Sequence, residues 1–209
     1  DAVMNYEFMY PIWSYFGTNI KQASYSGEDL KNAINQTIFS YPKNVITNMF
    51  NLVDSHDTAR IAEICEGNTN LLKLVYLFQF SLPGAPSIYY GGEIGLRGNH
   101  DPDNRRCMIW DQTRQDKDLK LFMKNLTKLY HQEEGFKSPN LRWIMTNKHV
   151  LIYQKEDLLF VLNKSPHEEA IQLENQYEGR DLFTKDQIKL NKNTRLSPYQ
   201  AYVMKLQVK

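Results

Sequence analysis

The strongest constraint on the fold is a change of pattern near residue 135. Before it, short apolar runs at 1–6, 48–53 and 85–93 alternate with helical patterns at 26–42, 70–84 and 116–132. Alternation of strands and helices predicts parallel strands joined by helical crossovers. We therefore expect an α/β fold over residues 1–135.

The helical patterns carry their own start and stop signals. Ser26, with Asp29 three residues later, predicts a capped helix start. Pro42 marks the end of that helix, and Pro83 with Gly84 marks the end of the second one.

Residues 136–209 read as an all-β domain. Six short runs are partly alternating and separated by turn residues, at 141–147, 149–156, 158–165, 170–175, 181–186 and 201–208. Asn147-Lys148 and Glu156-Asp157 suit tight connections. Strands at this spacing predict an antiparallel sandwich. No low-complexity linker separates residues 1–135 from 136–209, so we expect the two domains to pack closely.

Charge and cysteine content indicate which binding partners and which cellular compartment to expect. The 209 residues include 25 basic and 24 acidic side chains, which gives no electrostatic reason to expect nucleic acid or an anionic membrane as a partner. No apolar run is long enough to span a bilayer. The two cysteines, Cys65 and Cys107, form no disulfide framework. They favour a cytoplasmic location, with a secreted longer protein as the alternative.

Polar residues follow the predicted strands at the ends where functional groups collect. Such groups lie at the carboxyl ends of parallel strands. The residues concerned are Asn5 and Tyr6 after the first strand, Asp54, Ser55, His56 and Asp57 after the second, and Glu93 after the third.

Each of these residues also has a structural interpretation. Asp57 fits the N-cap of the next helix, and His56 fits a half-buried, hydrogen-bonded histidine. Glu93 fits a side chain that bonds loop amides.

The sequence lacks the motifs of several known types of active site. There is no G-x-S-x-G, no phosphate-binding loop and no H-E-x-x-H, so we expect no cofactor and no metal. A metal-dependent hydrolase using His56 and Asp57 as ligands remains a rival interpretation. The remaining chemistry is that of carboxylates assisted by a histidine, as in glycoside hydrolysis.

Four stretches, in order, carry a family resemblance. FNLVDSHDTAR resembles the fourth sequence region of the alpha-amylase superfamily (glycoside hydrolase family 13). DAVMNYEF, LPGAPSIYYGGEIGL and DPDNRRCMIWD resemble its neopullulanase, cyclomaltodextrinase and maltogenic amylase branch. The resemblance implies a (β/α)8 TIM barrel, of which residues 1–135 hold about strands six to eight, followed by the β-sandwich.

The same resemblance implies roles for four residues. Asp57 corresponds to the third catalytic carboxylate, which binds sugar hydroxyls of the distorted substrate, and His56 bonds the same ring. Asp101 and Arg105 correspond to a pair that holds a neighbouring glucose unit. The implied substrates are α-glucans or maltooligosaccharides, cleaved with retention.

The resemblance also implies that two groups lie elsewhere. The family's nucleophilic aspartate follows strand four and its acid glutamate follows strand five, and neither segment is in this sequence. The chain begins at Asp1, inside a predicted strand, so we expect a piece of a longer protein that is inactive by itself. Open strand edges predict that this piece self-associates or is held together by its β-rich tail. The alternative is a non-catalytic α-glucan-binding or interaction module.

Two positions depart from the branch. Relatives usually have Asp where this chain has Gly92, and Pro where it has Glu7. Both departures fall in predicted loops, so they put local geometry in question and leave the expected fold intact.

Overall fold

The N-terminal part is built on three short parallel strands. The computed structural model describes residues 3–19 and 24–207. Its elements here are β1 (Met4–Asn5), α1 (Tyr6–Phe16), α2 (Gly27–Ser40), α3 (Lys43–Ile46), β2 (Phe50–Asn51), α4 (Ile61–Ile64), α5 (Thr69–Ser81), β3 (Ala85–Pro86) and α6 (Lys117–Gln132). The strands lie side by side in the order β1-β2-β3, all parallel, so the α/β prediction is confirmed. Residues 1 and 2 of the first predicted strand lie outside the described residues.

The predicted start of the first long helix pattern is confirmed at the hydrogen-bond level. Ser26 Oγ accepts from the Asp29 amide at 3.2 Å, and the Asp29 carboxylate accepts from the Ser26 amide at 2.8 Å. The start of α5 is capped by Asn68. None of the described helices has both the length and the apolarity needed to cross a membrane.

Helix α1 was not predicted. The expected strand over residues 1–6 gives way to a helix at Tyr6, and Pro11 lies inside that helix. Proline and a nearly continuous apolar face hide the 3.6-residue period. The helix is stable because Phe8, Ile12 and other side chains are fully buried.

The third predicted strand is shorter than expected. Only Ala85–Pro86 pairs with β2, so the predicted strand over 85–93 is wrong beyond Pro86. The chain turns at Tyr89, whose carbonyl accepts from the Gly92 amide at 3.0 Å. A short 3₁₀ turn, Gly92–Ile94, then carries Glu93.

The C-terminal part is antiparallel throughout. Its strands are β4 (Arg142–Thr146), β5 (Val150–Lys155), β6 (Leu158–Asn163), β7 (Glu169–Gln172), β8 (Tyr177–Asp181), β9 (Gln187–Leu190), β10 (Asn193–Leu196) and β11 (Ala201–Leu206). A six-stranded sheet has the order β4-β5-β6-β11-β8-β9, and β10 pairs with β7 separately. The hairpin connections at 147–149 and 156–157 are where the sequence predicts them.

One predicted strand in this part is wrong. The predicted strand over 181–186 overlaps β8 only at Asp181. Residues 182–186 form the connection from β8 to β9, where the Asp181 carboxylate accepts from the Thr184 amide at 2.8 Å and closes a turn. Strands β8, β9 and β10 were missed, since their short, polar-rich sequences give no clear alternation.

Each face of the six-stranded sheet covers an apolar layer. On one face, Phe78 of α5 lies 6.4 Å from Trp143 and 5.8 Å from Tyr153 between ring centroids. On the other face, Ile171 of β7 and Leu196 of β10 pack against the sheet. The first layer combines buried side chains from α1, α2, α5 and α6 with those of β5 and β6, so the two parts pack closely. The boundary between residues 135 and 136 stays a prediction.

A buried lysine joins the two parts. Lys155, the last residue of β5, is fully buried, and its Nζ donates to the carbonyls of Ser81 at 2.5 Å and Phe136 at 2.6 Å. Burial lowers the pKa of Lys155 to about 7. In the unfolded chain this lysine stays protonated up to roughly pH 10.4. Between pH 7 and that value, the unfolded state therefore binds more protons than the folded state.

We predict that the free energy of unfolding rises with pH through this window. The contribution of Lys155 has a slope of up to about 1.4 kcal/mol per pH unit. Lys155→Met should remove that part of the slope, whereas Lys124→Met on the exposed face of α6 should keep it. Urea unfolding from pH 7 to 9.5 measures the slope, and equal slopes in wild type and Lys155→Met would contradict the prediction.

Candidate active site

A chain of buried amides fixes the strand ends. Asn5 Nδ2 donates to Asn51 Oδ1 at 3.1 Å, which ties β1 to β2. Asn51 Nδ2 donates to the carbonyl of Pro83, and Gln79 Nε2 donates to the carbonyls of Asn51 and Ser87, each at 2.8 Å. Buried amides are costly unless paired, so these bonds favour one alignment of the three strands.

Asp54, the first carboxylate after β2, has a structural role. It is buried, and its Oδ2 accepts from the Ile61 amide at 2.9 Å, at the start of α4. Burial raises the pKa of Asp54 to about 6, and the neighbouring charge of Glu93 adds to the rise. The helix-start function considered for Asp57 therefore belongs to Asp54.

A tight turn presents His56 and Asp57 to the outside. The Ser55 amide donates to Thr58 Oγ1 at 2.9 Å, and the Asp57 amide donates to Ser55 Oγ at 3.1 Å. Tyr6 Oη lies 3.1 Å from Ser55 Oγ, which connects the end of β1 to this turn. The His56 and Asp57 side chains are 65% and 59% exposed, so His56 is not the half-buried histidine of the structural alternative.

Two buried side chains connect this turn to the loop after β3. Asn104 Nδ2 donates to the carbonyls of His56 at 2.7 Å and Thr58 at 2.8 Å. Arg60 Nε donates to the Asn104 carbonyl at 2.8 Å, and its Nη1 donates to the Tyr90 carbonyl at 2.6 Å. The loops after β2 and β3 are thereby joined.

The structure brings all four predicted site residues together. His56 Nε2 lies 3.3 Å from Asp57 Oδ2. Arg105 Nη2 lies 3.8 Å from Asp57 Oδ1, and Arg105 Nε lies 3.2 Å from Asp101 Oδ1. Arg105 Nε also donates to the His56 carbonyl at 3.0 Å. We call His56, Asp57, Asp101 and Arg105 the Asp57 cluster.

The Asp57 cluster suits the binding of hydroxyl groups. Exposed ion pairs such as these add little to stability, so folding does not require the pairing. A guanidinium offers several donors in a fixed plane, and the carboxylates are strong acceptors. Across residues 3–19 and 24–207, no three His, Cys, Asp or Glu side chains gather as metal ligands would.

Glu93 and the two positions that depart from the branch, Gly92 and Glu7, each have a defined place in the structure. Glu93 sits in the 3₁₀ turn, on the Asp54 side. A Cβ added to Gly92 would lie 2.5 Å from Tyr76 Oη, so the buried Tyr76 occupies the room of a side chain at 92. Glu7 accepts a hydrogen bond from Tyr41 Oη at 3.0 Å and lies in the first turn of α1, where an acidic residue is favourable.

Comparison with known proteins identifies the family. Residues 1–179 match the model of the alpha-amylase catalytic domain. The chain belongs to the alpha-amylase family. The matched region contains β1, β2 and β3 and the whole Asp57 cluster.

Relatives place the chain in the branch that its sequence resembles. A cyclomaltodextrinase of Bacillus sp. is 37% identical over 169 residues, which cover 78% of this chain and 30% of the relative. Neopullulanase 2 of Thermoactinomyces vulgaris is 34% identical over 180 residues, covering 83% of this chain and 30% of the relative. A solved structure of a cyclomaltodextrinase superposes with a TM-score of 0.84 at 30% identity, over 98% of this chain and 36% of that one. The chain thus spans about a third of the length of these relatives.

Sequence reasoning missed the two residues that hold the cluster in place. Asn104 lies inside the DPDNR motif, between the two residues that were selected. Arg60 closes the motif after β2, and no pattern in the sequence distinguishes it. Charged side chains are seldom fully buried without partners, so such a residue suggests a role in binding backbone carbonyls.

We predict that Asn104→Ala destabilises the protein. The substitution leaves the carbonyls of His56 and Thr58 without their donor, at a cost of roughly 1–3 kcal/mol in the free energy of unfolding. Asn125→Ala, on the exposed face of α6, should change that free energy by less than about 0.5 kcal/mol. Urea unfolding measures both, and equal effects would contradict the assignment.

Proposed function

We propose that the chain is the C-terminal part of a retaining α-glucan hydrolase of the cyclomaltodextrinase and neopullulanase type. The observation that carries the proposal is the Asp57 cluster at the carboxyl ends of parallel strands, in a chain of the alpha-amylase family. In this proposal, β1, β2 and β3 are strands six to eight of a (β/α)8 barrel. Residues 1–135 belong to that barrel, and residues 136–209 form an antiparallel sandwich domain.

The proposed substrate is an α-glucan or a maltooligosaccharide, and the chemistry uses no cofactor. Relatives are named for cyclomaltodextrin and pullulan hydrolysis. A cytoplasmic location is part of the proposal, supported by a relative named intracellular maltogenic amylase.

Asp57 is the proposed transition-state carboxylate. It accepts hydrogen bonds from hydroxyls of the distorted sugar, and these bonds strengthen as positive charge develops on the ring. His56, 3.3 Å away, donates to the same sugar. Arg105 and Asp101 hold the adjacent glucose, with the guanidinium donating and the carboxylate accepting.

The nucleophile and the general acid are proposed to come from outside residues 1–209. A retaining mechanism needs two carboxyl groups about 5–5.5 Å apart on either side of the scissile bond. Asp54 is buried and accepts a hydrogen bond from the Ile61 amide, so we assign its carboxylate a structural role and neither catalytic role. Asp57 is assigned to neither role, and we expect the chain to be inactive by itself.

A chimera tests the proposal. Residues 1–209 replace the matching segment of the Bacillus sp. cyclomaltodextrinase, whose remaining chain supplies the other carboxylates. We expect the chimera to hydrolyse cyclodextrin and Asp57→Asn to lower kcat by about 10²–10³-fold. Purified residues 1–209 should show no turnover of cyclodextrin, pullulan or starch.

Matched controls separate chemistry from folding. Asp186→Asn, in the exposed connection before β9, should leave the rate of the chimera unchanged. An Asp57→Asn chimera with full activity, or turnover by residues 1–209 that Asp57→Asn abolishes, would refute the proposal. Binding of maltooligosaccharides without hydrolysis by the folded chimera would favour the non-catalytic glucan-binding module.

Self-association is part of the same proposal. Met4 and Phe50 lie opposite each other on one face of β1 and β2 and are 46% and 48% exposed. In a closed barrel this face would be covered by side chains of the other strands. An open apolar sheet face with unpaired edges favours pairing with a second chain.

We predict that residues 1–209 form dimers or larger species at micromolar concentration. Phe50→Lys should shift sedimentation-velocity profiles toward the monomer, because it places a charge on the open face. Leu121→Lys, which changes an exposed leucine on α6, should not. Monomeric wild-type protein over the whole concentration series would count against this prediction.

A further inference from the structure

A second polar cleft lies away from the Asp57 cluster. It has a volume of about 430 Å³ and separates the last turns of α2 from the β4–β5 hairpin. None of its lining residues belongs to the Asp57 cluster. We call it the α2 cleft, and its principal side chains are Asn35, Phe39, Asn140, Arg142, Gln154 and Glu156.

One wall of the α2 cleft is an exposed aromatic ring. Phe39 is 83% exposed, the largest exposed fraction among the large apolar side chains identified as exposed. Ile38 beside it adds a partly buried apolar surface. A flat apolar ring at the mouth of a polar cleft suits the apolar face of a sugar ring.

The opposite wall carries polar groups that are already oriented. The Glu156 carboxylate accepts from Ser138 Oγ at 2.6 Å and Asn140 Nδ2 at 3.0 Å. Arg142 Nη2 donates to Gln154 Oε1 at 2.5 Å. Side chains held in this way lose little conformational entropy when a ligand binds.

The helix contributes a further oriented amide. Asn35 Oδ1 accepts from Trp143 Nε1 at 3.0 Å, so its Nδ2 is directed away from that bond. Arg142 and Glu156 balance each other in charge, and the remaining polar side chains are amides. This composition suits a neutral molecule with many hydroxyls better than an ion.

The cleft continues along the surface. Gln154 and Glu156 also line a neighbouring depression with Leu206 and Gln207. Leu206 and Gln207 in turn line a third one, which contains Tyr177. Three adjoining depressions suit an extended chain of sugar units better than a single ring.

We propose that the α2 cleft is a second, non-catalytic binding site for a linear oligosaccharide. Phe39 stacks on one sugar ring, and the Asn140, Arg142 and Glu156 side chains bond its hydroxyls. The choice of an α-glucan as the oligosaccharide rests on the proposed function.

Calorimetric titration with maltotriose tests the site. The measurements use residues 1–209 with Arg105→Ala, which weakens binding at the Asp57 cluster. We expect binding to persist in this protein and Phe39→Ala to weaken it about three- to tenfold. Phe39→Trp should restore it, and Leu121→Ala should leave it unchanged.

The outcomes separate this inference from the proposed function. Binding that is lost with Arg105→Ala alone, or that is insensitive to Phe39→Ala, overturns the α2 cleft while the Asp57 cluster remains supported. Absence of any binding by the folded Arg105→Ala protein also overturns it. If Asp57→Asn leaves the hydrolysis rate of the chimera unchanged while maltotriose binding still depends on Phe39, the proposed function is refuted and the binding site in the α2 cleft is supported.

Discussion

The arrangement of the candidate site depends on the buried guanidinium of Arg60. Its carbon lies 4.4 Å and 4.6 Å from the ring centroids of Tyr89 and Tyr90, and its nitrogens donate to the carbonyls of Asn104 and Tyr90. A buried cation is stabilised by nearby acceptors and aromatic ring faces, and these partners of Arg60 join the loop after β3 to the loop after β2. This explains why β3 ends at Pro86: the backbone turns toward Arg60 and leaves the sheet.

The geometry of the Asp57 cluster depends on this contact between the loops after β2 and β3. Asn104 is held through its carbonyl by Arg60, and it holds His56 through its own side chain. Arg105 is the next residue, so its guanidinium comes within 3.8 Å of Asp57. The exposed residues of the Asp57 cluster are therefore positioned by two buried residues, an arrangement that keeps loop side chains in place.

Sequence patterns predicted the features of the fold and of the candidate site that depend on residues close together in the sequence. The capping pair Ser26 and Asp29 identified the start of α2, and the polar residues after β2 identified the location of the site. Two features depend on tertiary contacts. Helix α1 depends on the burial of side chains around Phe8, and the early end of β3 depends on the hydrogen bond from Arg60 to the Tyr90 carbonyl. Residues 181–186 misled the prediction because an apolar pair, Leu182 and Phe183, occurs within a turn closed by Asp181. The four clustered residues were selected by resemblance and strand-end logic, whereas Asn104 and Arg60 act through backbone carbonyls that no sequence motif reveals.

The proposed role of Asp57 depends on excluding water. Two unit charges 4 Å apart interact by about 1 kcal/mol in bulk water and by about 4 kcal/mol at an effective dielectric constant of about 20. With 59% of its side chain exposed, Asp57 sits close to the first limit. A substrate ring and an opposing barrel wall would move it toward the second, so the same carboxylate would stabilise developing charge several times more strongly. On this argument the geometry supplied by residues 1–209 is necessary for the chemistry, and enclosure of the Asp57 cluster is the second requirement.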